Sequence, residues 1–288
     1  MIPEPPEDNV TESIAHVPED LRGICNICGQ ETQFVGSDPV LYREALLCSV
    51  CNSNSRYRSI ARGLLRAIHE LNNIQAQSLA DLGSFQPGAS LTIYDTQLPF
   101  YWTPLAYPIP DMLIGSGWVD LHLSKYRQND PLGLELAPYT TNQNLEKLTF
   151  PDNYFDVVIT SDVMEHVRLD FEAHKEIARV LKPGGVYLFT VPHFRHIRET
   201  IVRVSVVDAD DPSKDQFLME KEYHGDTNSP DDAALSYRSY GTDLDEALTA
   251  LGFSVEYTRQ DFPEMGIMNT ELFYCRLRLD VDPVQVSP

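Results

Sequence analysis

Two groups of side chains in this 288-residue sequence have the types and spacing that chemistry needs. The first is a cysteine set. Cys25-Asn-Ile-Cys28 and Cys48-Ser-Val-Cys51 form a CxxC…CxxC pair with 19 residues between the two halves. Each CxxC turns two thiolates toward one point, and two such knuckles supply the tetrahedral four-sulfur shell that zinc prefers. Four thiolates close that shell, so the expected role is structural rather than catalytic. The alternative is two buried thiol pairs without metal. Cys275 lies in an apolar run and reads as a core residue.

The second group is in FDVVITSDVMEHV, residues 155–167, where an apolar run delivers Ser161, Asp162, Glu165 and His166 at its end. Such a cluster is either the edge of an active site or a helix start, at which Glu165 and His166 simply cap and pair. Further on, His193 in TVPHF follows another apolar run, and a neutral imidazole there suits a general base near neutral pH. The bland reading gives it a loop carbonyl as partner. His196 and His224 are secondary candidates. Arg56, Arg58, Arg62 and Arg66 form a basic patch that reads as a solvated helix face, with pairing to the acidic surface as the alternative. Asp208, Asp210, Asp211 and the pair Asp231-Asp232 read as solubilising.

Positioning these groups takes alternating elements. Apolar runs predict strands at LTIY (91–94), DMLIG (111–115), FDVVIT (155–160), VYLFTV (186–191), FSVEYT (253–258) and ELFYCRLRL (271–279). Helices are predicted from Tyr57 onward, with Ile60, Leu64, Ile68 and Leu71 on one face, and over DFEAHKEIARV, with Ala173, Ile177, Val180 and Leu181 as its stripe and Pro183-Gly184-Gly185 as its stop. Thr242-Asp243-Leu244-Asp245 resembles a capping box that opens another helix. NNIQAQSLADLGSFQPGAS is predicted to be a loop. Strands separated by helices give an α/β class with a doubly wound parallel sheet. The expected organisation is a flexible acidic, proline-rich lead-in over 1–22, a zinc ribbon-like module over 23–56, an α/β domain over 57–280 and a tail over 281–288. An inserted segment at about 195–240 breaks the rhythm and is expected to be a lid or partner surface.

Composition limits the partners. Asp and Glu number 43 against 22 Lys and Arg, a formal charge of −21. That excess repels phosphate backbones and anionic membranes, so a nucleic-acid partner is disfavoured. The N-terminal sequence lacks the basic and apolar regions of a signal peptide, and no apolar run is long enough to span a bilayer. With a fifth cysteine left unpaired, a cytoplasmic location is expected.

LTFPDNYFDVVITSDVMEHV followed by EIARVLKPGGVYLFTVPH resembles the class I S-adenosylmethionine-dependent methyltransferases, the group with the pattern FPDxxFDxV…EHV…RVLxPGG…TVP. The likeness is dense over 148–194 and looser over 91–147 and 236–279. It implies a Rossmann-like seven-stranded sheet with S-adenosylmethionine as cofactor and transfer of a methyl group to an acceptor. The acceptor is expected to be a small molecule, a glycan or a lipid-linked precursor. The alternatives are a non-catalytic binding protein that retains the fold, and a macromolecule methyltransferase that docks protein or RNA through its zinc module. By the resemblance, Tyr94, Asp95 and Thr96 stand where the first strand meets the cofactor's amino acid portion. Asn144 and Leu145 take the place beside the adenine. Ser161, Asp162, Met164, Glu165 and His166 form the rim beside the methionine portion. Gly117 and Trp118, with Asp120 nearby, fall where the second strand is expected to hold adenosine. Two departures stand out: the glycine-rich turn after the first strand is absent from IYDTQLPFYW, and no acid clearly follows the second strand.

Overall fold

A computed structural model describes residues 21–36, 38–97, 106–224 and 234–279. The expected lead-in before Leu21, the tail over 281–288 and Asp231-Asp232 lie outside these residues. The N-terminal part is a three-stranded antiparallel sheet of β1 (Arg22–Ile24), β2 (Glu31–Val35) and β3 (Leu47–Cys48), with the short helix α1 (Tyr42–Ala45) between the last two. Helix α2 (Ser55–Asn72) then leads into the main sheet. Asn54 caps α2 by accepting from Tyr57 N, and Asn73 ends it in the left-handed region.

The main sheet contains β4 (Leu91–Asp95), β5 (Val119–Lys125), β6 (Glu135–Ala137), β7 (Thr140–Asn142), β8 (Phe155–Ser161) and β9 (Leu181–Thr190). Its other two strands, β16 (Phe253–Thr258) and β17 (Leu272–Leu277), come after the insertion. The order is β16-β17-β9-β8-β4-β5-β7-β6. Strands β9, β8, β4, β5 and β7 run parallel; β17 is antiparallel to both β9 and β16, so β16 runs in the direction of the parallel set, and β6 is antiparallel to β7. The sheet has eight strands where seven were expected; β4, β8, β9, β16 and β17 fall on predicted runs, while β5, β7 and the three-residue β6 do not. Helices α3 (Ile109–Ser116), α4 (Asp170–Val180) and α5 (Asp243–Ala250) complete the layers.

Alternation along the strands makes two cores. Ile93, Val157, Ile159 and Leu188 face α2, α3 and the cysteine module, whereas Tyr94, Val158, Tyr187 and Phe189 face α4 and α5. The module shares the first core through Cys25, Ile27, Phe34 and Leu46. Its contact with the β16–β17 connection is close: a Cβ on Gly266, whose φ is +64°, would come within 2.4 Å of the Phe34 ring.

Four local expectations are corrected. DMLIG is helical, because Pro108 and Pro110 start a turn there and Gly117 ends it with φ +77°; the second strand is VDLHLSK instead. The stretch after α2 is not all loop: Leu79–Ser84 forms a 3-10 helix with a reciprocal cap between Ser78 and Asp81. Thr242 makes no side-chain cap bond; Asp243 instead accepts from Thr200 Oγ1 at 2.6 Å. The insertion carries short antiparallel pairs: β10 (Ile201–Val202) with β15 (Arg238–Ser239), β11 (Val204–Ser205) with β12 (Gln216–Phe217), and β13 (Tyr223–His224) with β14 (Ala234–Leu235).

Candidate active site

The chain runs outward from β4 through β5 to β7, then returns to β8 on the other side of β4. The switch in strand order thus falls between β4 and β8, and the crevice outside their carboxyl ends is where open α/β sheets bind ligands. Asp95 and Ser161 are the last residues of these two strands. Asp95 is fully buried; it accepts from Tyr107 Oη at 2.5 Å and from Gln97 N at 2.9 Å. Burial pushes its carboxyl up to about 7, against the pull of those two bonds. Thr96 N donates to Ile159 O at 3.1 Å, and Gln97 Nε2 donates to Ser161 O at 2.6 Å, tying the two strand ends together. Gln97 Oε1 remains buried without a partner.

After β8 the backbone turns sharply at Asp162, whose φ of 50° lies in the left-handed region that aspartate tolerates better than most residues. Its carboxylate accepts both Arg43 guanidinium nitrogens at 2.7 Å and Thr190 Oγ1 at 2.8 Å. Arg56 reaches Ser161 Oγ and pairs with Glu44 at 2.6 Å. Burial alone would raise Asp162, but Arg43 and Arg56 hold it well below the usual carboxylate range. Arg56 and Arg58 are therefore buried, in contrast to the solvated face predicted for them. Arg62 and Arg66 lie over the rings of Phe262 and Tyr274.

Met164, Glu165 and His166 form a single 3-10 turn. The return segment of the insertion rests on it: Tyr237 N donates to Glu165 O at 2.8 Å, and Arg238 donates to Val167 O at 2.7 Å and Arg168 O at 2.8 Å. Glu165 is fully buried, and neither carboxylate oxygen has a hydrogen-bond partner. Burial, reinforced by Asp162, pushes it up to about 8. Past β9, His193 is buried against Tyr257 and Phe273. Its Nε2 lies 3.0 Å from Gly241 O, and Nδ1 has no partner. Burial lowers its pKa, so the ring is neutral at pH 7, with Nε2–H donating and Nδ1 left as the base nitrogen.

The structure brings Asp95, Thr96, Ser161, Asp162, Met164, Glu165 and His166 to the carboxyl edge. Asn144 and Leu145 follow β7 at that same edge. Tyr94 points the other way, into the α4-side core, with its hydroxyl 2.7 Å from Ser124 Oγ. Gly117 and Trp118 are corrected: they precede β5 rather than follow the second strand. The seven residues of β5, at about 3.3 Å each, separate them from the crevice by roughly 23 Å. The Trp118 indole N–H donates to Leu82 O at 3.0 Å. Sequence reading missed Arg43, Gln97 and Tyr107, since isolated polar residues in connecting segments carry no periodic signal.

The four cysteines converge. One sulfur of each lies within 4.8 Å of all the others, with Cys25–Cys51 at 3.8 Å and Cys28–Cys48 at 3.9 Å. A tetrahedron with zinc–sulfur arms of about 2.3 Å has edges of about 3.8 Å, so this donor set fits zinc. Both knuckles close alike: Gly29 N donates to Cys25 O at 2.8 Å and Asn52 N to Cys48 O at 2.9 Å, with Gly29 and Asn52 both at positive φ.

The sheet order and the site at the switch point are those of the Rossmann-like cofactor-binding class. A family profile described as "Methyltransferase domain" matches residues 118–189, about a quarter of the chain. The chain is similar to the ubiquinone/menaquinone biosynthesis C-methyltransferase UbiE of Hydrogenovibrio crunogenus, 33% identical over 93 residues, which are 28% of this chain and 36% of the relative. The UbiE of Vibrio campbellii is 35% identical over 72 residues, 25% of this chain and 27% of its own. The chain thus spans about a third of the length of the curated relatives it matches. Among solved structures, an S-adenosylmethionine dependent methyltransferase from Mesorhizobium loti is 16% identical with a TM-score of 0.39, covering 68% of this chain and 95% of its own. PH0226 protein from Pyrococcus horikoshii is 14% identical with a TM-score of 0.41, covering 77% and 91%. Over residues 118–189 the chain therefore matches a methyltransferase domain.

Proposed function

We propose that the protein transfers a methyl group from S-adenosylmethionine to a small-molecule, glycan or lipid-linked acceptor. The observation that carries this reading is the placement of the matched stretch. Residues 118–189 run from β5 through β9 and so include the β8 end with Ser161 and Asp162. The bound cofactor supplies a methyl group already activated by its sulfonium. The chain's own task is to orient acceptor and donor and to exclude water. Gln97 Oε1, a buried acceptor without a partner, fits an α-ammonium group. Asp95 and Thr96 flank it, Asn144 and Leu145 would border the adenine, and Ser161, Asp162, Met164, Glu165 and His166 form the rim. His193, with Nδ1 free, would take the proton of a hydroxyl acceptor. The tetracysteine set would hold structural zinc, and the unpaired fifth cysteine, Cys275, fits a reducing, cytoplasmic setting. Among the described residues no helix is long and apolar enough to cross a membrane.

A second reading has its own support. Arg56 engages Ser161, Arg43 engages Asp162, and no glycine-rich turn follows β4. These features favour a binding protein that retains the fold without turnover. Titration calorimetry with S-adenosylhomocysteine tests both. Low-micromolar binding, followed by transfer of labelled methyl into a small-molecule or glycan fraction, is the expected result. No binding at high micromolar ligand overturns the enzyme reading.

A further inference from the structure

We propose that Glu165, His166 and His224 form a binding site for a divalent first-row transition-metal ion, separate from the tetracysteine set. One donor atom from each of the three lies within 4.8 Å of the other two. The Glu165 side chain is 1% exposed, and both of its oxygens lack a hydrogen-bond partner. A buried carboxylate is ordinarily paired, hydrogen-bonded or bound to a cation. Its neighbours do not satisfy it: Arg43 is spent on Asp162, Arg56 on Ser161 and Glu44, and the nearest cationic candidate is His166 Nε2 at 3.7 Å from Oε1.

Both imidazoles are held as metal ligands usually are, with one ring nitrogen tied to an acceptor and the other left free. His166 Nδ1 lies 3.0 Å from Leu235 O; a carbonyl only accepts, so Nδ1 carries the proton and Nε2 presents its lone pair toward Glu165. His224 Nε2 lies 2.7 Å from Glu222 Oε1, which leaves Nδ1 as its lone-pair nitrogen. Glu222 is itself fixed by Arg203 at 2.5 Å. The two rings stand edge to face at 5.1 Å, on the turn after β8 and on β13 of the insertion. An ion here would clamp the insertion onto the β8 end.

The donor chemistry selects the class of ion. Two imidazoles and one carboxylate suit iron, cobalt, nickel or zinc better than magnesium or calcium, which take oxygen shells. Three protein ligands leave positions open to water or to an acceptor oxygen. The His224 side chain is 35% exposed, so the site opens to solvent on that side.

Cobalt(II) is the probe, added to the full chain carrying a single equivalent of zinc, which the four thiolates take, with no free zinc present. One further equivalent should bind at micromolar concentration without the thiolate-to-cobalt charge-transfer band that marks a sulfur site. Glu165→Gln and His224→Ala should each weaken that binding by well over tenfold, and Glu222→Gln by about tenfold. Thermal melting guards against misfolded variants: cobalt should raise the wild-type midpoint and leave those of the two ligand variants unchanged. Uptake of no cobalt beyond the cysteine site at millimolar concentrations overturns the proposal, as does equal uptake by the wild type and by folded variants. Binding of S-adenosylhomocysteine by the same preparations separates failure of this site from failure of the methyltransferase reading.

Discussion

Replacing Arg58 with methionine should destabilise the protein by about 3–5 kcal/mol. The guanidinium is fully buried on α2, where Nη2 donates to Leu46 O at 2.8 Å and Gly266 O at 2.7 Å, and Nη1 donates to Ser53 O. Leu46 and Ser53 belong to the cysteine module and Gly266 to the β16–β17 connection, so one side chain joins three parts of the chain. Burial pushes Arg58 down to about 10, with the cysteines opposing, so it stays charged at neutral pH. Methionine keeps much of the volume but none of the donors; the Leu46 and Gly266 carbonyls lose their Arg58 bonds at about 1–3 kcal/mol each, and Ser53 O, which keeps Cys48 N at 2.9 Å, loses about 1 kcal/mol. Relief from desolvating the cation offsets part of that, which gives the stated range. Total stabilities are about 5–15 kcal/mol, so the variant should remain folded but close to its limit. Arg58→Lys keeps the charge in a compact head that reaches fewer carbonyls, and should recover about half the loss. Urea unfolding under saturating zinc measures both variants through the midpoint at constant slope. A loss below about 1 kcal/mol for Arg58→Met would refute the argument that this side chain joins the module to the sheet.

Four other outcomes follow from the geometry. His174 is fully buried with both ring nitrogens unpartnered, and burial lowers its pKa to about 3. The unfolded chain binds its proton first, so stability is present above about pH 6.5 and falls by about 3 kcal/mol by pH 4; urea midpoints should flatten over that range in His174→Leu. Asp95 has the opposite slope: its pKa is raised by burial to about 7, so stability should decline as pH rises from about 4 through 7, and Asp95→Asn should remove that decline in the same assay. His193→Gln should keep S-adenosylhomocysteine affinity within about threefold while lowering the single-turnover methyl-transfer rate by about 10²–10⁴ if the acceptor is a hydroxyl. Equal loss of binding would make His193 a structural residue. Stripping metal from the tetracysteine set with a chelator should lower the cooperative melting of the whole chain, since Cys25 and Phe34 share a core with α2; a melt unchanged except for a small separate transition would contradict that.

The parts of the fold legible in sequence are those with a repeated signal. Helix α4 shows its apolar stripe and the next strand within twenty residues, and the structure reproduces both, but the helix ends already at Val180, so that Leu181 opens β9 and Pro183-Gly184-Gly185 lies inside the strand rather than before it. DMLIG misled because five residues of apolar sequence fit a buried strand and a buried helix equally; the flanking prolines and Gly117 decided it. Once that strand moved to Val119–Lys125, Gly117 and Trp118 went to the wrong end of it. The arginines misled for another reason. A 3.6-residue pattern reports which face of α2 is apolar, but it cannot report that the cysteine module covers the polar face as well.

That cover changes how the module relates to the site. A docking arm would pack loosely and send its charges outward. Here α1 and the start of α2 send Arg43 and Arg56 across more than a hundred residues of sequence to Asp162 and Ser161. The ion pairs of Arg43 and Arg56 with Asp162 are partly shielded, so each resists exchange for water better than an exposed pair. The cysteine set fixes the module, the module fixes the arginines, and the arginines hold the β8 end at the positive φ of Asp162. From the other side the insertion grips the same turn through Tyr237 and Arg238. Residues 161–166 are therefore clamped between two segments outside the dense stretch of family likeness. With no glycine-rich turn after β4, that clamp is a physical means of keeping the crevice in shape without one.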